Sequence, residues 1–281
     1  MPPDIGIAGP TATRADILST LLKRDRLVIG ITMALLVVLA ALYTIFGVGM
    51  EMTALEMTVA PDPGELMMMP AAWTPGYAVL VFLMWWVMMI AMMLPSAAPM
   101  VLLHAAVKRR SEPEAEVTVL TGLFVLGYLV IWSMFSAAAV VLQWGLELRG
   151  LVSPVMMSVT SETLGGVILV AAGIYQLTPL KHACLEHCRS PVHYLSRHHC
   201  PGRNGALRMG LGHGAYCLGC CWVLMALLFF GGIMNLYWIA GLAILVMVEK
   251  LMPHGHRLAQ AAGIGLVIIG GILLAGAFAS P

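Results

Sequence analysis

The chain has 281 residues, 60% of them hydrophobic and 10% charged, with a formal net charge of +1 at pH 7 and a mean hydropathy of +0.91. So few charges leave too little polar surface for a soluble globular domain, and the chain reads as a membrane protein. A balance this close to neutral, with no basic block, excludes nucleic-acid binding.

In chain order, residues 1–26 form a mixed polar segment that leads into an apolar run at 27–49. That run is long enough to cross a bilayer core of about 30 Å. It is too long for a signal-peptide core and lacks a small-residue cleavage site, so it reads as an uncleaved first helix. Further apolar runs fall at 77–103, 118–144, 155–179, 209–232, 235–252 and 258–279. The expected fold is all-α: a polytopic transmembrane bundle of about seven helices, forming a single transmembrane domain over 27–281. A re-entrant pair around the short connection at 232–235 would lower the count to five or six without moving the cysteines. Pro95 and Pro99 are expected to kink the second helix and free carbonyls. Gly165, Gly166, Gly173, Gly263, Gly265, Gly270 and Gly271 suit close helix packing.

An N-terminus inside puts Arg14, Lys23, Arg24, Arg26, the Lys108-Arg109-Arg110 triplet, the five basic residues from Lys181 to Arg208, Lys250 and Arg257 on the cytoplasmic face. Only Arg149 is left outside, so the distribution of basic residues favours this orientation. The polar 1–26 segment is then cytoplasmic, the Met-rich loop 50–76 lies outside, and the Cys/His-rich loop 180–208 lies inside. The lipid bilayer is then the first partner.

The segment QLTPLKHACLEHCRSP (176–191) opens the inside loop and holds His182, Cys184, His187 and Cys188. Thiols in a reducing cytoplasm are not expected to form structural disulfides. Cys184 and Cys188 share a helical face four residues apart, a spacing that suits two thiolates on one ion. The competing explanation is that cysteine packs as a small hydrophobe and that loop histidines, including His193, His198 and His199, are merely solvated.

A second cluster, GHGAYCLGCCW (212–222), puts His213, Cys217, Cys220 and Cys221 at i, i+4, i+7 and i+8, one face of a helix. Ionisable groups at membrane depth are usually functional. Cys217-x-x-Cys220 fits a redox dithiol, a metal pair or core packing; it is not a c-type haem site, because Cys221 stands where a histidine is needed. Thiolate-rich, partly apolar sites favour Cu(I) first and Zn(II) second.

The second helix carries Met84, Met88, Met89, Met92 and Met93, thioethers that suit a soft-metal path and equally a packed core. Met50, Met52, Met57, Met67, Met68 and Met69 fall in the outside loop. Glu162, Gln176, Glu249 and Lys250 are candidate outer ligands or proton carriers, set against interfacial anchoring. Tyr128, Trp132, Gln143 and Tyr175 are candidate polar linings.

The motifs WWVMMIAMMLPSAAP, YQLTPLKHACLEHCRSP and GAYCLGCCWVLMALLFFGGIMNLYWIAGLAILVMVEK together resemble a bacterial domain-of-unknown-function family described as predicted metal-binding integral membrane proteins. The resemblance covers roughly residues 77–252. It implies a polytopic protein of the bacterial inner (plasma) membrane with a metal site; the residues that match the family motifs are Gln176, Pro179, Lys181, Cys184, Cys188 and Pro191, and Cys217, Cys220, Cys221, Trp222, Met225, Glu249 and Lys250. The leading expectation is a protein that binds and moves a soft metal such as Cu(I), exchanging it with a soluble metal-carrier protein. The alternatives are a membrane oxidoreductase, using a metal centre or a Cys217/Cys220 dithiol, and a scaffold with a structural Zn(II). No serine triad, Walker loop or dinucleotide fingerprint appears.

Overall fold

The computed structural model describes residues 14–47, 53–58, 72–154, 156–197 and 200–279, and their side chains except those of 14–28, 56, 57, 197 and 279. Residues 1–13, His198, His199 and most of the Met-rich loop, including Met50, Met52, Met67, Met68, Met69 and the Met57 side chain, lie outside the described residues. The architecture is all-helical: α1 (Arg14–Phe46), α2 (Ala54–Thr58), α3 (Pro75–Lys108), α4 (Glu114–Glu147), α5 (Glu162–Gln176), α6 (Pro179–Arg189), α7 (Pro191–Arg197), α8 (Gly202–Ala226), α9 (Leu228–Gly231), α10 (Leu236–Leu251) and α11 (Gly255–Ala279).

Five helices are long and apolar enough to cross a membrane, or six if α5 and α6, which meet at a 63° bend, count as one broken span. The expected seven runs include two that form shorter helices. In the 155–179 run, residues 156–161 are irregular: Val152 and Val159 pair as an isolated bridge and Met157 takes a positive φ of 48°. What remains, α5, has 15 residues, about 22 Å at 1.5 Å per residue, and falls short of a bilayer core of about 30 Å. With 16 residues, α10 also falls short.

Local signals explain the breaks. Thr178 caps α6 by accepting from the Lys181 N–H at 3.3 Å, and Pro179 occupies the first turn, where its missing N–H costs nothing. The expected inside loop therefore begins as two helices, α6 and α7. In α3 the Thr74 side chain caps the start, and the helix runs through Pro95 and Pro99 without ending.

Hydrogen bonds between distant segments fix which ends lie together. The Val159 N–H donates to Phe229 O at 2.8 Å and the Ile233 N–H to Met157 O at 3.1 Å, so α5 and α10 start beside the end of α8. Trp85 Nε1 donates to Gln143 Oε1 at 2.9 Å and Gln143 Nε2 to Glu147 Oε1 at 2.8 Å. Gln143 is thus a brace between α3 and α4. At the opposite end Arg203 pairs with Glu116 at 3.1 Å.

Two crossings are unusually close. A Cβ on Gly127 would stand 2.5 Å from Leu207 O, so α4 meets α8 backbone to backbone. A Cβ on Gly173 would stand 2.6 Å from Gly263 O, and Gly166 faces Gly270, so α5 and α11 make the expected glycine-mediated contact; Gly265 and Gly271 take no part in it. On α1 and α11, Leu35, Leu39, Phe46, Ile268, Ile272 and Phe278 face outward. An apolar surface of this extent suits lipid better than water.

Candidate metal centre

The α4–α8 crossing carries one face of α8 into the interior. Met209, His213, Cys217, Cys220 and Cys221 are all buried, with Cys217 at 1% exposure. The i, i+4, i+7, i+8 pattern thus reads out as a buried stripe. Cys217 lies 15 residues into α8, about 22 Å along its axis; the α8 thiols are buried, whereas Cys184 and Cys188 on α6 are half-buried.

Helix α6 lies against this stripe. The fit depends on Gly219, where a Cβ would stand only 2.8 Å from Cys184 Sγ. That approach packs Cys188 against the core that holds Cys217, Cys220 and Cys221, within electrostatic reach of Cys217 and Cys220. Cys221 Sγ donates to Cys217 O at 2.9 Å and lies 3.8 Å from Met93 Sδ on α3. The two cysteine motifs therefore meet, with one methionine of the α3 stripe beside them. Met84, Met88, Met89 and Met92 are buried in the surrounding apolar core.

The remaining partners of Cys217 are polar. Its Sγ accepts from Lys250 Nζ at 2.9 Å and lies 3.1 Å from Tyr128 Oη. Lys250 also donates to Ser96 Oγ at 3.1 Å, and Ser96 donates to Met93 O at 2.8 Å. Tyr128 Oη donates to Met93 O at 3.2 Å. Ser96 carried no signal in the sequence; it looks like an ordinary small residue beside Pro95.

One residue before Lys250, Glu249 has other partners. Its carboxylate pairs with Lys181 at 2.6 Å and accepts from Gln176 Nε2 at 2.8 Å, while Gln176 Oε1 accepts from Lys181. All three side chains are buried. This network ties the ends of α5 and α10 to the start of α6.

Other candidates stand apart from the thiols. His182 lines a polar groove of about 420 Å³ with Glu186, Arg189 and His256. His187 stacks on Tyr216 with ring centroids 4.2 Å apart, and its Nδ1 lies 2.8 Å from Ala183 O. Glu162 is exposed in the first turn of α5, where a carboxylate complements the helix dipole. Cys200 accepts through its carbonyl from Lys108 Nζ at 3.5 Å. His213 is closer: buried one turn before Cys217, it packs against Phe124 and Tyr128, and its Nδ1 has no hydrogen-bond partner among the described residues.

Among the described residues no three His, Cys, Asp or Glu side chains are arranged as they would be around a metal ion. The thiols are instead turned to protein partners: Cys220 and Cys221 both donate to Cys217 O, at 3.1 and 2.9 Å, and Cys217 faces Lys250. A cysteine has one rotor, χ1, between such a hydrogen bond and a new direction. The soft donors therefore share one core, with the α8 thiols in a hydrogen-bonded state.

A family model described as PpoB2, copper chaperone, matches residues 82–273. The chain belongs to the PpoB2 copper chaperone family. The matched region runs from α3 into α11 and contains every residue of the thiol cluster, together with Met93, Ser96, Tyr128 and Lys250. It bears out the expectation of a metal-related family and favours copper handling. No curated protein and no solved structure matches the chain.

Proposed function

We propose that this PpoB2 copper chaperone is an integral protein of the bacterial inner membrane that holds Cu(I) inside its helix bundle. Two sulfurs from among Cys188, Cys217, Cys220 and Cys221 bind the ion as thiolates, with Met93 as a nearby thioether and His213 as a neutral imidazole one turn away. Soft donors in a dry, apolar surrounding match Cu(I) better than a hard cation. The observation that carries the reading is the packing of Cys188 against the core that holds Cys217, Cys220 and Cys221, because cysteines from two separate motifs come to one place.

The N-terminus lies inside in this reading, as the basic residues favour. The thiol site then faces a soluble copper carrier at the cytoplasmic end, and the methionines of α3 and of the 50–76 segment receive or supply the ion from the other side. The protein passes copper and does no chemistry on it. Zn(II) is the second candidate ion.

Copper retention by purified protein tests the proposal. Wild-type protein loaded under reducing conditions is expected to keep Cu(I) through desalting, and Cys188→Ser, Cys217→Ser and Cys220→Ser to lose most of it. His182→Ala and His187→Ala, altered outside the thiol cluster, are expected to retain it. Retention by all three serine variants contradicts the assignment. A mixed disulfide trapped at Cys217 or Cys220 in place of bound copper favours the oxidoreductase alternative.

A further inference from the structure

Lys250 is 5% exposed, and its ammonium group meets Ser96 Oγ and Cys217 Sγ. Tyr128, Cys220 and Cys221 complete its electrostatic surroundings. The nearest acidic side chain in sequence, Glu249, is already paired with Lys181. A buried ammonium is stable only when something nearby carries the opposite charge. Among the described residues, the groups facing Lys250 that can supply it are the sulfurs and the Tyr128 phenol, and the thiols are the more acidic.

We infer that Lys250 is the built-in counter-charge of the thiol cluster and makes it selective for monovalent soft cations, Cu(I) and Ag(I), over divalent ions of equal softness. The inference rests on the thiols being the copper ligands. When two of these sulfurs bind a monovalent cation as thiolates, any proton either still carries leaves to water. The bound unit then holds one net negative charge, and the adjacent ammonium brings the buried assembly to neutrality. A divalent ion on the same two sulfurs forms a neutral unit, leaving Lys250 as an uncompensated charge deep in an apolar bundle. The ammonium also repels the divalent ion more strongly than the monovalent one. Softness alone does not separate Cu(I) from Cd(II); this charge count does.

The arrangement also explains why Glu249 and Lys250 are neighbours in sequence yet do not pair. Were Glu249 to turn to Lys250, the thiol cluster would lose its positive charge and Lys181 its partner. The Gln176–Lys181–Glu249 network holds the carboxylate away.

The experiment is competitive binding to the full-length protein in detergent, using Cu(I), Ag(I), Cd(II) and Zn(II) against chelators of known affinity. In wild type, Ag(I) is expected to displace Cu(I) and equimolar Cd(II) to fail. Lys250→Met is expected to weaken Cu(I) and Ag(I) by about tenfold or more and to strengthen Cd(II) and Zn(II) by a similar factor, while Lys250→Arg keeps the wild-type order. A purely structural role for Lys250 weakens all four ions together, and that result overturns the inference. So does displacement of Cu(I) by equimolar Cd(II) from wild-type protein, a measurement that does not depend on any variant folding. Wild-type protein that binds neither Cu(I) nor Ag(I) overturns the copper site itself.

Discussion

Two buried lysines lie close to the same helix end and do different work. Lys181 is enclosed by Glu249 and Gln176, an ion pair whose remaining polar atoms are satisfied within the triad. Lys250 has a serine and a thiol instead of a carboxylate. The first arrangement is closed and joins three helices. The second is open, because a thiol exchanges a hydrogen bond for a metal bond by turning about one torsion. Fully satisfied polar networks hold a structure together, whereas a charge facing reactive sulfur points to a site.

The largest expected effect breaks the first arrangement. Lys181→Met leaves Glu249 buried without its cation, and metal-free protein should lose roughly 3–5 kcal/mol of stability. The loss is read as a fall in Tm and should be partly restored by adding Glu249→Gln. Lys250→Met tests the second. A thiol relieved of its ammonium partner packs as a small hydrophobe, so the metal-free variant should stay within about 1.5 kcal/mol of wild type while its copper binding changes. Equal Tm losses in the two variants would remove the contrast.

Met93→Leu sharpens the account further. The swap nearly conserves volume and should cost less than about 1.5 kcal/mol, yet it removes the sulfur 3.8 Å from Cys221 Sγ. Copper affinity should fall, whereas Met134→Leu, at an exposed position on α4, should leave it unchanged. Glu162→Gln is the smallest change. It removes only a helix-dipole interaction worth about 0.3–1 kcal/mol, so Tm should move little and copper titrations should match wild type.

The all-helical class and most helix limits were legible from apolar runs, as with 258–279 against α11 (Gly255–Ala279). The two shorter helices were not legible because hydropathy sums residues without seeing breaks. At 156–161 the Val152–Val159 bridge and the Ser161 cap override an apolar average. The stripe His213, Cys217, Cys220, Cys221 was legible because helical periodicity is a local property. Partner choice was not. Glu249 and Lys250 are adjacent in sequence, and nothing local tells that one pairs with Lys181, 68 positions away, and the other with Cys217, 33 positions away. Ser96 and Gly219 were equally silent, since one acts through Lys250 and the other by the space it leaves for Cys184. The methionines of α3 looked alike in sequence, and only the crossing with α8 singles out Met93.

The central claim is that Cys188 and the α8 thiols bind copper together, and X-ray absorption at the copper edge of the loaded, full-length protein tests it most directly. The account predicts Cu(I) with a sulfur-dominated shell, and a lower sulfur count in both Cys188→Ser and Cys217→Ser. A shell of nitrogen and oxygen only, or a sulfur count that neither substitution changes, would contradict it.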